Sequence, residues 1–169
     1  ALPDSPPSPS VQATAMADQI ILIWGEEPES YNVTSEVDVD EAGNPTNFVF
    51  EGYNVYQYET GSGAGKTKRL ATYDVVNGVT EIYDDVFNAE LGETINIRTQ
   101  FGSDSGLSHY HSIDGDGLDN NSTLITNREY HFAVTAYGYN AYGIPKTLES
   151  SPQYLSVRPE VPNTWSMGE

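Results

Sequence analysis

The 169-residue chain carries 7 Lys and Arg against 25 Asp and Glu; a net charge of -18, with cations scattered except for Lys66, Lys68 and Arg69, argues against a nucleic-acid partner and disfavours an anionic lipid surface. No cysteine is present, which removes disulfides and thiolate metal sites, and no run reaches the roughly 18 apolar residues of a membrane span. With 12 Tyr, 15 Gly and 10 Pro the composition is one of strands and turns, so an all-β secreted protein is the expectation.

Ala1 opens without a basic or apolar leader, so the numbering is expected to start after a removed signal or inside a longer chain. Residues 1–10, ALPDSPPSPS, hold four prolines and little to bury. They read as an extended arm or linker, either joining a preceding domain or docking on a neighbouring subunit. Val11, Ala13 and Ala15 alternate as a short edge strand, and Ala17 to Gln19 turn the chain. Ile20, Leu22 and Trp24 then form an inner strand face. Ile21 and Ile23 point the other way, onto a face that should be polar in a free sandwich, so an insertion or a partner is expected to cover them.

Residues 26–47 exceed an ordinary loop and read as an insertion. Glu36, Asp38, Asp40 and Glu41 alternate there with Val37 and Val39, and Gly43-Asn44-Pro45 supplies a turn. Sheet pattern resumes at FVFEGYNVYQYET, with Tyr53 and Val55 inward and a bulge at Gly52 admitting Phe50. The glycine-rich run Gly61 to Thr67 lacks the first glycine of a phosphate-binding loop and is followed by strand rather than helix, so it reads as a hairpin loop. Leu70 to Val76 and Thr80 to Val86 read as strands joined at Asn77-Gly78, with a further strand at Glu93 to Phe101. These surplus strands are expected to extend a sheet or cap an edge.

The long polar segment 102–123 holds the candidate ion ligands. Asp114 and Asp116 alternate with Gly115 and Gly117, and Asp119 and Asn120 follow closely, a set of oxygen ligands on a glycine-flexed backbone suited to Ca²⁺, although Ile125 stands where an EF-hand needs its bidentate glutamate. His109 and His111 share a face of any extended segment and, with His131 or an aspartate, would make a second metal candidate. Asn32, Asn120 and Asn121 begin N-glycosylation sequons, which agree with exposed loops.

Arg128 to Asn140, REYHFAVTAYGYN, reads as the central strand, with Tyr130, Phe132, Val134 and Ala136 on one face. Leu124 lies six residues before Tyr130, the spacing of a corner whose tyrosine hydroxyl turns back onto upstream backbone. After a turn at Ala141 to Pro145, a last strand carries Leu155 and Val157 inward, and the tail beyond residue 162 presents Trp165 and Met167.

On these residues the chain resembles a fibronectin type III domain over 9–28, 50–58 and 124–162. FEGYNVYQ, SDSG and REYHFAVTAYGYN with LESSP look like the modules of large secreted bacterial surface proteins. The resemblance implies an antiparallel immunoglobulin or fibronectin type III-like sandwich over 11–162, with two long insertions at about 26–47 and 86–123 and a tail at 163–169. Modules of that kind serve mostly as spacers, adhesion units or assembly units.

Neither a G-x-S-x-G nucleophile elbow nor H-E-x-x-H occurs, so a non-catalytic chain is expected. The leading expectation is an extracellular or cell-surface structural module that self-associates or binds another surface protein through edges and tails, with Ile21, Ile23, Trp165 and Met167 at the contact. The alternative is a calcium-dependent carbohydrate-binding module using Tyr110, Tyr137, Tyr139 and Tyr142 as exposed stacking rings.

Overall fold

A computed structural model describes residues 2–102 and 106–160; Trp165 and Met167, and part of the SDSG run, lie outside the described residues. In chain order the strands are β1 (Val11–Ala15), β2 (Ile20–Trp24), β3 (Asn32–Val39), β4 (Pro45–Tyr58), β5 (Thr67–Asp74), β6 (Glu81–Asn88), β7 (Glu93–Phe101), β8 (Tyr110–Ile113), β9 (Tyr130–Tyr139), β10 (Thr147–Glu149) and β11 (Leu155–Val157). One 3-10 turn at Glu27–Ser30 separates β2 from β3. No helix among the described residues is long and apolar enough to cross a membrane.

The strands form two antiparallel sheets face to face, with β6 and β7 as a separate hairpin. β1, β2 and β8 make the smaller sheet in that order. The larger is built on β4, whose one edge is followed by β9 while its other edge takes β3 along its first part and β5 along its second. β10 and β11 pair with opposite ends of β9. This is the all-β sandwich expected from the alternation, with an immunoglobulin or fibronectin type III-like strand order.

The inner faces supply the core. Ile20, Leu22 and Trp24 of β2 pack with Phe48, Tyr53 and Val55 of β4 and Tyr130, Phe132, Val134 and Ala136 of β9. Each large side chain removed from water there stabilises the fold by about 1.5–3 kcal/mol. The Trp24 ring meets Tyr53 edge-on at 5.7 Å between centroids. At the corner, the Tyr130 hydroxyl accepts the Ile125 N–H at 2.9 Å, closing the bend anticipated from the spacing to Leu124. The bulge against β9 falls between Phe50 and Gly52, where a Cβ on Gly52 would meet the Tyr73 carbonyl at 2.6 Å. Only glycine lets β4 and β5 approach so closely.

Two sequence expectations are corrected. Asn77-Gly78 does not close a hairpin, because β5 pairs with β4 and β6 pairs with β7; the left-handed φ of Gly78 at 83° serves a bend between them. Of the surplus strands, β5 extends the larger sheet along β4, as expected, whereas β6 and β7 join neither sheet. β6 and β7 instead lie over the outer face of the larger sheet, where Gln100 of β7 exchanges amide hydrogen bonds with Asn54 of β4 at 3.0 and 3.3 Å. Tyr137 of β9, expected as an exposed ring, is consequently buried, and so is Thr135.

The proline-rich arm, expected as a linker or as an arm on a neighbouring subunit, lies here against its own domain. The Tyr31 hydroxyl donates to the Asp4 carbonyl at 2.5 Å, the Ser8 hydroxyl donates to the Ser151 carbonyl at 2.8 Å, and Pro6 and Pro9 are buried. Proline suits this path because an extended segment with few free N–H donors can lie on a surface without pairing.

Candidate functional site

Alternation on β2 turns Ile20, Leu22 and Trp24 into the core, so Ile21 and Ile23 must face outward. Ile21 is half-buried between Thr14 and Ser112, whereas Ile23 is 49% exposed. Register places Ile23 beside Gln12 of β1 and Tyr110 of β8, and Tyr110 is 62% exposed. The insertion at 86–123 reaches this row, since it supplies β8 with Tyr110 and Ser112, yet it leaves Ile23 exposed. Beside it, the backbones of β1 and β8 each pair with one neighbour, β2.

The aspartate loop is held to β4 by its own hydrogen bonds. Asp116 is buried, and one of its oxygens accepts the Gln57 amide at 2.8 Å and the Leu118 N–H at 3.0 Å. Asp119 accepts from the Ser122 hydroxyl at 3.0 Å, while Asp114 accepts from Gln19 at 3.0 Å across the loop mouth. Asn120 sits at a left-handed φ of 48° with its side chain exposed. Asp114, Asp116 and Asp119 do not bring one oxygen each into a common 4.8 Å cluster.

The histidines separate too. His111 shares a hydrogen bond with the Tyr73 hydroxyl at 2.7 Å, and burial holds its pKa below the ordinary imidazole value against the pull of Asp114. His131 lies at the other end of the sandwich against Ser156. His109 instead meets Glu29, with Nε2 and Oε2 2.5 Å apart, and Glu26 completes the group. One ligand atom from each of Glu26, Glu29 and His109 lies within 4.8 Å of the others.

This cluster joins residues 80 positions apart, and no local spacing announces it. The Tyr53 hydroxyl, at the end of a core side chain, donates to the same Glu29 oxygen at 2.6 Å. Burial first, and then Glu29, push the Tyr53 pKa upward, so the phenol stays protonated as a donor. Glu27 faces elsewhere, with both carboxylate oxygens on the Ser10 hydroxyl, and that bonding lowers its pKa.

The four tyrosines expected as an exposed platform do not form one. Tyr137 is 1% exposed beneath the β6–β7 hairpin, Tyr110 lies on the smaller sheet, and Tyr142 donates to Glu41 at 2.9 Å. Tyr139 is half-buried at the end of β9. Under the hairpin, one oxygen of Glu149 accepts from Asn54 at 3.0 Å, from Tyr56 at 2.6 Å and from Thr135. This layer consists of hydrogen bonds closed on themselves.

No protein-family model matches the chain, and no curated protein matches it. It is similar to the solution structure of a human protein's fourth fibronectin type III domain, at 13% identity and a TM-score of 0.40 over 96% of this chain and 82% of that one. The strand order defines the class independently of that likeness: an antiparallel β-sandwich of immunoglobulin or fibronectin type III-like topology, here with a third layer laid over one face.

Proposed function

We propose that the chain is a non-catalytic extracellular structural or adhesive module that associates with further copies of itself, as a subunit of a surface filament or assembly. The Ile23 and Tyr110 row supports this reading, because it sets exposed apolar surface beside β1 and β8, whose outer edges pair with no strand among the described residues. Association over such a face removes that surface from water, and pairing along β1 or β8 adds backbone hydrogen bonds with a defined register. Ile21 would join the contact from the same face. Trp165 and Met167 are proposed as further anchors, testable by truncation after Glu160. The arm docks within its own copy, so exchange of the arm between copies is not part of the proposal.

Sedimentation velocity over a wide concentration range tests this. Copies carrying a net charge of -18 repel one another, so association should strengthen as added salt screens them. Ile23→Glu and Tyr110→Glu should each abolish it. A chain that stayed monomeric at high concentration and high salt would end the proposal. Calcium-dependent carbohydrate binding finds less support, since it requires a tyrosine platform that burial of Tyr137 breaks up.

A further inference from the structure

In a chain with 25 carboxylates, divalent cations are ordinarily attracted diffusely, at many weak places. The corner where β2 leaves its sheet differs, because an imidazole nitrogen is fixed among the carboxylates there. Glu29 N–H donates to the Glu26 carbonyl at 3.0 Å across the 3-10 turn, with Pro28 buried beneath it. Residues three apart in such a turn stack on one side, so both carboxylates face the same way. His109 is fixed from the opposite direction, since its carbonyl accepts the Trp24 N–H at 2.9 Å and so continues the pairing of β8 with β2. Tyr53 orients the Glu29 carboxylate from inside the core. Among the described residues, neither Glu26 nor Glu29 forms an ion pair with a lysine or arginine.

We propose that this corner is a divalent transition-metal site in which Glu26, Glu29 and His109 are the protein ligands. One imidazole nitrogen with two carboxylates suits Zn²⁺, Co²⁺, Mn²⁺ or Ni²⁺, whereas Ca²⁺ collects about six to eight oxygens. Ligands held about 2.0–2.2 Å from an ion stand roughly 3 Å apart, so the Glu29 and His109 atoms open slightly as the metal takes the place of their hydrogen bond. Glu26 is exposed and the other two are half-buried, which leaves room for water at the remaining coordination positions. Bound metal would pin the segment leading into β8 to the turn between β2 and β3.

Titration of the full chain with Co²⁺, followed by visible absorption and by melting temperature, tests the site. One equivalent of Co²⁺ should produce a d–d band and raise the melting temperature. His109→Ala should remove both effects, and Glu26→Gln should weaken binding at least tenfold. Among the described residues the Glu26 side chain makes no hydrogen bond, so Glu26→Gln keeps the test sound if His109→Ala folds poorly. His111→Ala and His131→Ala should bind as the parent does. Uptake that fails to saturate near one equivalent, or that falls equally in all three histidine variants, overturns the proposal. Ile23→Glu should leave the Co²⁺ titration unchanged, which separates failure of this site from failure of self-association.

Discussion

Asn54→Ala should destabilise the protein by about 3 kcal/mol, and most of that cost should arise at Gln100. Asn54 is fully buried and uses all its polar capacity. Its Nδ2 donates to Gln100 at 3.3 Å and Glu149 at 3.0 Å, and its Oδ1 accepts from Thr72 at 2.7 Å and Gln100 at 3.0 Å. Glu149 keeps Tyr56 and Thr135 when Asn54 is removed. Gln100, 5% exposed, would be left with a buried carbonyl and a buried amide without Asn54, each costing about 1–3 kcal/mol if unsatisfied. The alternative for the chain is to lift the β6–β7 hairpin so that Gln100 reaches water, which caps the loss at the free energy of docking the hairpin. Urea unfolding should therefore show a lower midpoint, and limited proteolysis should gain cuts between residues 75 and 102. In a double-mutant cycle with Gln100→Ala the pair should be non-additive by about 1–3 kcal/mol, because deleting both partners leaves no orphan. A loss under about 1 kcal/mol with additive behaviour would refute the account of the hairpin as latched through this amide pair.

Tyr130→Phe removes the acceptor of the Ile125 N–H and should cost about 1–2 kcal/mol, read as a fall of roughly 2–8 °C in melting temperature. His111 has a depressed pKa in the folded state, so the unfolded chain binds its proton more readily. Its contribution to stability is complete above the ordinary imidazole pKa of about 6.5 and is lost as pH falls below it. His111→Gln should flatten that part of the stability profile in urea titrations at successive pH values. Deleting residues 2–10 exposes the surface under Pro6 and Pro9 and frees the Tyr31 hydroxyl, whose pKa burial, aided by Asp4, pushes up to about 12. Spectrophotometric titration should find the Tyr31 pKa lowered toward 10 in the truncated chain, together with a lower melting temperature.

Two-residue alternation decides which face of β2, β4 and β9 is inward wherever one face is core and the other is not, and it placed Trp24, Tyr53 and Phe132 correctly. The reading of Tyr137 as an exposed ring failed because both faces of β9 are covered, and a third layer leaves its mark only on its own residues. Those marks are Gln100 and Asp84, polar side chains that local pattern assigns to solvent and that the fold buries against Asn54 and the Lys146 N–H. Asn77-Gly78 misled for a related reason. The dipeptide favours a left-handed bend at Gly78, and that bend is present, but pairing is decided by what lies beside each flanking strand. β4 is long enough at 14 residues to take β3 and then β5 along one edge, so β5 had a partner other than β6.

The metal-capable corner was half legible. His109 stood out as a possible ligand, but its sequence neighbours His111 and the aspartates after it drew the chemistry toward the long loop. Glu26 and Glu29 sit three apart in an acidic stretch, where spacing alone does not separate a ligand pair from a solvated turn. What distinguishes them is Trp24, whose N–H fixes the His109 carbonyl while its neighbours begin the turn. The strand that furnishes the core aromatic therefore also sets the imidazole beside the carboxylates. A substitution that shifted the β2 to β8 register by one residue would turn Ile20 and Leu22 out of the core and separate His109 from Glu29 at the same time. Core packing and the metal-capable corner thus depend on one register, which is why a cluster spanning 80 positions can hold its geometry on so exposed a rim.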